Sequence, residues 1–71
     1  MKIIKEDYSE NVWMFLLKFD ERVLQCKYYP KKDEADWEWK DKSFGSLKEI
    51  EEAKKYLVLE KIIPKTTTLN N

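Results

Sequence analysis

Cys26 is the one side chain in this sequence with strong nucleophilic potential, and the acids Asp33, Glu34, Asp36, Glu38 and Asp41 are its densest set of hard oxygen ligands. Cysteine catalysis needs a thiol pKa lowered by a histidine, a helix N-terminus or neighbouring cations. The chain has no histidine, and strand alternation sets Cys26 opposite Phe15 on an apolar face, so it reads as a buried structural residue. The five acids could feed a hard cation, but their spacing fits no calcium loop and they lack the glycine such a loop turns on. Used as an acid and base pair, the same carboxylates would need a cleft to hold a sugar between them, and a chain this short forms no deep one. They read as a solvated acidic rim. No catalytic residue, metal, cofactor or small-molecule substrate is expected, and the chain is not read as an enzyme.

Lys27-Tyr28-Tyr29-Pro30-Lys31-Lys32 interleaves cations with aromatics, the pairing that single-strand nucleic-acid binders use for phosphate contact and base stacking. Tyr28 is committed by alternation to the same face as Trp13, which leaves Lys27, Tyr29, Lys31 and Lys32 as the candidate surface. Against this reading stand a formal net charge of zero and the acidic run that follows, since a basic stripe is normally the first mark of such a protein.

The chain has 71 residues, which limits it to one domain with a modest core. A single cysteine excludes an internal disulfide, and the absence of histidine removes the commonest transition-metal ligand. Stability must therefore come from packing or from a partner. Ten aromatic residues supply large buried areas for the former. Charge is patterned: residues 33 to 52 carry eight acids against three lysines, a net of minus five, while residues 1 to 32 sum to plus two and 53 to 71 to plus three. No stretch approaches the roughly 18 apolar residues of a membrane span, and the start, MKIIKEDY, lacks the apolar region of a secretory signal. The expected compartment is the cytoplasm, with which an unpaired thiol agrees, and no membrane contact is expected. With Gly45 as the only glycine, no phosphate-cradling loop can be written.

These residues are positioned by elements that the periodicity makes legible. NVWMFLLKFDERVLQCKYYP, residues 11 to 30, breaks at Asp20-Glu21 into two apolar runs and predicts a hairpin. Phe19 then faces Arg22, Leu17 faces Leu24, Phe15 faces Cys26 and Trp13 faces Tyr28, so one face collects the large apolar side chains; a one-residue slip would mix the faces. Ile3 to Lys5 predicts a short edge strand guarded by lysines. Pro30 to Ala35 has turn composition, and residues 36 to 42 alternate as a further strand with Trp37 and Trp39 on one side. Ser46-Leu47-Lys48-Glu49 fits a capping box, opening a helix whose Leu47, Ile50, Ala53, Leu57 and Val58 fall in one stripe about 140° wide. That helix runs on to Lys61, or stops near Leu57 and leaves Val58 to Ile63 as a strand; Pro64 ends either. The fold class is α+β: a small antiparallel sheet of three or four strands in a hairpin meander, with one C-terminal helix packed on one face. Residues 1–64 form the domain and 65–71 a flexible tail.

The strand from Val12 to Phe19 carries the functional expectation. Both of its faces are mostly apolar, the mark of a strand covered on two sides, and one helix covers only one face. Val12, Met14 and Leu16, with Val23 and Tyr29, are left as an apolar patch of the kind that marks a protein contact. Trp37 and Trp39 join that interface or the core. The patch calls for a protein partner, with a two-fold homodimer the commonest solution. Abundant lysine, isoleucine and tyrosine, with one arginine and one glycine, gives the chain a composition similar to that of short proteins of AT-rich bacterial or bacteriophage genomes. Such phage proteins often occupy a surface of a host protein, so the first expectation is a non-enzymatic, inhibitor-like binding module using the apolar face and the acidic aromatic strand, an inference by class alone. A small nucleic-acid binder comes second, and a structural subunit of a larger assembly third.

Overall fold

The computed structural model describes residues 1–60, 62–63 and 68–70. In chain order the elements are β1 (Lys2–Tyr8), β2 (Trp13–Phe19), β3 (Arg22–Tyr29), β4 (Glu34–Trp39), the helix α1 (Leu47–Leu59) and β5 (Thr68–Asn70). They form one α+β unit, in which β1 to β4 make an antiparallel meander and β5 adds to β4 in parallel. Among the described residues, no helix is long and apolar enough to cross a membrane.

The register of the central hairpin follows from side-chain volume. Phe19 lies opposite Arg22, Leu17 opposite Leu24, Phe15 opposite Cys26 and Trp13 opposite Tyr28, the pairing that keeps most of the bulk on one side of the pleat. Asp20 takes a positive φ of 47° to close the two-residue turn, a backbone state that Asp tolerates better than most residues, and its carboxylate accepts from the Arg22 amide at 3.2 Å. β4 starts and ends earlier than alternation predicts, at Glu34 and Trp39. Lys40 still donates its amide to the Val23 carbonyl, but Asp41 and Lys42 both enter positive φ, which no strand can carry.

The core lies between this hairpin face and α1. Phe15, Leu17, Phe19, Leu24, Cys26, Tyr28, Ala35 and Trp37 from the sheet meet Ile50, Ala53 and Leu57 from the helix, and Ile63 closes the cluster. Leu47, on the first helical turn, is about half exposed and departs from the predicted stripe. The helix ends at Leu59 with Glu60 as its C-cap, so neither continuation to Lys61 nor a strand beginning at Val58 describes the chain. In the segment read as a tail, Thr68–Asn70 pair with Glu34, Ala35 and Asp36; Lys61, Pro64, residues 65–67 and residue 71 lie outside the described residues.

Two devices fix the entry of α1. Ser46 and Glu49 form the capping box, Ser46 Oγ accepting from the Glu49 amide at 3.2 Å and the Glu49 carboxylate from the Ser46 amide at 3.0 Å. Arg22 then reaches across from the hairpin tip: its guanidinium donates to both Glu49 oxygens at 3.0 and 2.6 Å, to the Phe44 carbonyl at 2.9 Å and to Asp20 at 3.0 Å. The same guanidinium lies 5.1 Å over the Trp39 ring, a cation–π contact. Gly45 runs so close to that indole that a Cβ there would collide with its six-membered ring; the position needs glycine for space, its φ being ordinary.

The hydrogen bonds from Arg22, with those from Ser46 adding, hold the Glu49 carboxyl at about 2, below its ordinary 4.5. Its folded value lies under its unfolded one, so its contribution is complete above about 4.5 and is lost as pH falls from there towards 2. The thermal midpoint should fall across that window, and Glu49→Gln should start lower at pH 6 and show a shallower decline. An equally steep decline in the variant would show that the clamp does not hold the helix.

Candidate functional site

Because α1 covers the face that carries Phe15, Leu17 and Leu24, the opposite face of the sheet has no helix over it among the described residues. The cross-strand rows of this open face can be read from the register. Lys5, Leu16, Gln25 and Glu38 lie side by side across β1 to β4; Asp7, Met14, Lys27 and Asp36 form the next row; Lys18 and Val23 flank the first, and Tyr29 sits beside Glu34. Val12, Met14, Leu16, Val23 and Tyr29 are half-buried, and none belongs to the buried core. The acids Glu34, Asp36 and Glu38 occupy successive positions of β4 on this same side, so the apolar centre is bordered by anions along β4.

Of the seven residues read from sequence as an interface, the register places Met14, Leu16, Val23 and Tyr29 on one surface; Val12 lies just before β2, and two face the other way. Trp37 and Trp39 face the helix: Trp37 is core, and Trp39 packs edge-on against Phe19 at 5.5 Å. Of the two places that alternation left open for them, the interface and the core, both indoles take the core side. The hairpin brings Cys26 and Leu24 opposite Trp37 and Trp39, and those pairs are helix-side by volume. Among the described residues neither indole N–H meets an acceptor, a cost of roughly 1–3 kcal/mol apiece that is set against two large apolar burials.

Lys27 and Tyr29, from the nucleic-acid reading, also lie on the open face, but each has an acid beside it. Lys27 is the cross-strand neighbour of Asp36. Burial and the Asp36 carboxylate raise the Tyr29 phenol above its ordinary range. Lys31 and Lys32 stand in the β3–β4 turn, where Lys31 lies 3.8 Å from Glu10. The four residues form no continuous cationic strip. Among the described residues, no group of three or more acids or cysteines is arranged to hold a metal ion.

The sequence reading missed other exposures, Leu59 at the end of α1 among them. Phe44 is 82 % exposed, although its carbonyl is gripped by Arg22, and on β1 the large side chains Ile4 and Tyr8 are 46 % and 53 % exposed. A β-bulge between Ile3 and Lys5 puts Ile4 outside the ladder with β2, and periodicity over four residues cannot reveal such an insertion.

Cys26 stands at the centre of the core, and burial, with the charge of Asp36 adding, pushes its thiol up to about 12. Native protein should react with iodoacetamide at pH 8 about a thousandfold more slowly than the urea-unfolded chain, the ratio implied by a tenfold loss of thiolate per pKa unit above an ordinary thiol. Comparable rates would place Cys26 outside the core.

The chain matches no protein-family profile, no curated protein and no solved structure.

Proposed function

We propose that this chain is a non-enzymatic protein-binding module that presents its open sheet face to a protein partner. The observation that carries the reading is the set Met14, Leu16 and Val23, with Val12 and Tyr29, half-exposed on a face that the helix does not cover. Each large side chain completed by a partner adds a share of the roughly 1.5–3 kcal/mol that full burial of an apolar side chain yields. A partner suited to it carries an apolar patch with basic groups on one side, to meet Glu34, Asp36 and Glu38. Trp37, being core, takes no direct part. The composition supports the finer reading of an inhibitor-like module that occupies the surface of a host protein in the cytoplasm.

A photoreactive side chain at Leu16 should give one discrete protein adduct in cell extract that the same group at Lys55, on α1, does not. Combining Met14→Lys with Val23→Lys should abolish that adduct while far-UV circular dichroism and the urea midpoint stay close to the parent, within about 1 kcal/mol for half-exposed sites. Equal adducts at both positions, or collapse of the fold, would refute the reading.

The same acids that suit a basic partner should repel phosphates, so no retention of single-stranded DNA or RNA is expected even at low salt. Retention at low salt that Lys27→Glu removes would favour the nucleic-acid reading instead.

A further inference from the structure

We propose that the outer edge of β1 is a homodimer interface, through which two copies of this chain pair antiparallel over Ile4 to Tyr8 about a two-fold axis at Glu6. The proposal does not rest on the open-face reading. β1 is the end strand of the sheet, and among the described residues no strand pairs with its outer side. Seven residues long, it presents a row of backbone donors and acceptors that another strand can satisfy. Three of the large exposed apolar side chains, Met1, Ile4 and Tyr8, lie on or next to this one strand.

Side-chain direction selects the occupant and the register. Lys5 and Asp7 pair with Leu16 and Met14 on the open face, whereas Glu6 and Tyr8 pair with Phe15 and Trp13 on the helix face. The bulge puts Lys2 and Ile3 out of phase with this alternation, so a self-pairing that keeps each face together must use the segment beyond it. Centred on Glu6, the pairing sets Lys5 against Asp7 of the second copy, and does so twice by symmetry. It also sets Ile4 against Tyr8 twice, which covers both half-exposed side chains. Tyr8 already stacks edge-on against Trp13 and Phe15 at 5.4 and 5.6 Å, so the apolar layer would continue across the joint. Centring on Lys5 instead opposes two lysines and puts Ile3, on the helix face, against Asp7, on the open one. Centring on Asp7 opposes two aspartates and shortens the ladder.

The Glu6 pair at the axis is the unfavourable element of this register. Each Glu6 carboxylate already accepts the hydroxyl of its own Tyr8 at 2.7 Å, which disperses part of its charge before the chains meet. A two-fold pairing consumes the β1 edge of both copies and closes at two. With the axis normal to the sheet, both helices fall on one side of the joined sheet and both open faces on the other.

The charge pattern makes the interface testable without disturbing the core. The parent should sediment as a dimer. Lys5→Asp and Asp7→Lys should each weaken self-association at least about tenfold, since two cross-strand attractions become two repulsions. An equimolar mixture of the two single variants should form a one-to-one heterodimer, and the double variant Lys5→Asp with Asp7→Lys should regain the dimer, all with native circular dichroism. A parent that stays monomeric up to about 1 mM chain, where association would be worth no more than about 4 kcal/mol, would overturn the proposal. So would a dimer indifferent to both charge reversals. Dissociation by Leu16→Asp, with the β1 variants still dimeric, would place the contact on the open face and likewise overturn it.

Discussion

Among the described residues one helix, of 13 residues, has to shelter a sheet whose strand β2 is apolar on both sides, and most of the architecture follows from that shortage. The helix goes to the face with the greater apolar volume. There Phe15, Leu17, Leu24 and Leu57 are fully buried, each worth roughly 1.5–3 kcal/mol against exposure, whereas the other face offers Met14, Leu16 and Val23 interrupted by Lys18, Gln25 and Lys27. Covering the second face instead would expose the aromatic residues and gain a smaller, charge-broken patch. The choice of side is therefore a matter of hydrophobic area, and the open face is its remainder.

Area chooses the side, and polar geometry sets the position along it. Arg22, the only arginine, joins the hairpin tip, the loop carbonyl of Phe44 and the helix N-terminus in one set of hydrogen bonds. Its planar fork matches a carboxylate in two-point contact, which a lysine could not reproduce. The group is partly solvated, so its contribution is small beside that of the buried side chains; what it supplies is placement. Trp39, held between Phe19, Arg22 and Gly45, fills the corner where sheet, loop and helix converge.

A net charge of zero conceals a segregated surface. Successive outward positions of β4 carry Glu34, Asp36 and Glu38, while Lys5 and Lys18 lie towards β1 and β2 on the same side. Antiparallel pairing is what converts a linear sequence with an acidic middle into a face with an acidic border. Under the proposed reading, an apolar centre flanked by opposite charges suits orientation-specific contact with another protein better than non-specific attraction to polyanions.

The hairpin register, the capped helix, the place of Cys26 and the α+β class were legible in the sequence because each depends on local spacing. Alternation with period two sorts Trp13, Phe15, Leu17 and Phe19 from their neighbours, and Ser46 with Glu49 marks the helix start through bonds that span three residues. The open face was legible too, as a second apolar set on one strand. What only tertiary structure decided lies in contacts between segments far apart in the chain. The sides taken by Trp37 and Trp39 depend on the β3–β4 register across a turn, the role of Arg22 depends on Glu49 lying 27 positions away, and the outer edge of β1 is unpaired among the described residues because the strand order puts β1 at the end of the sheet. Local patterns state which residues share a face, because the pleat and the helix repeat impose it. Which face meets which, and which edge is left over, emerges only when distant elements compete for the same limited cover.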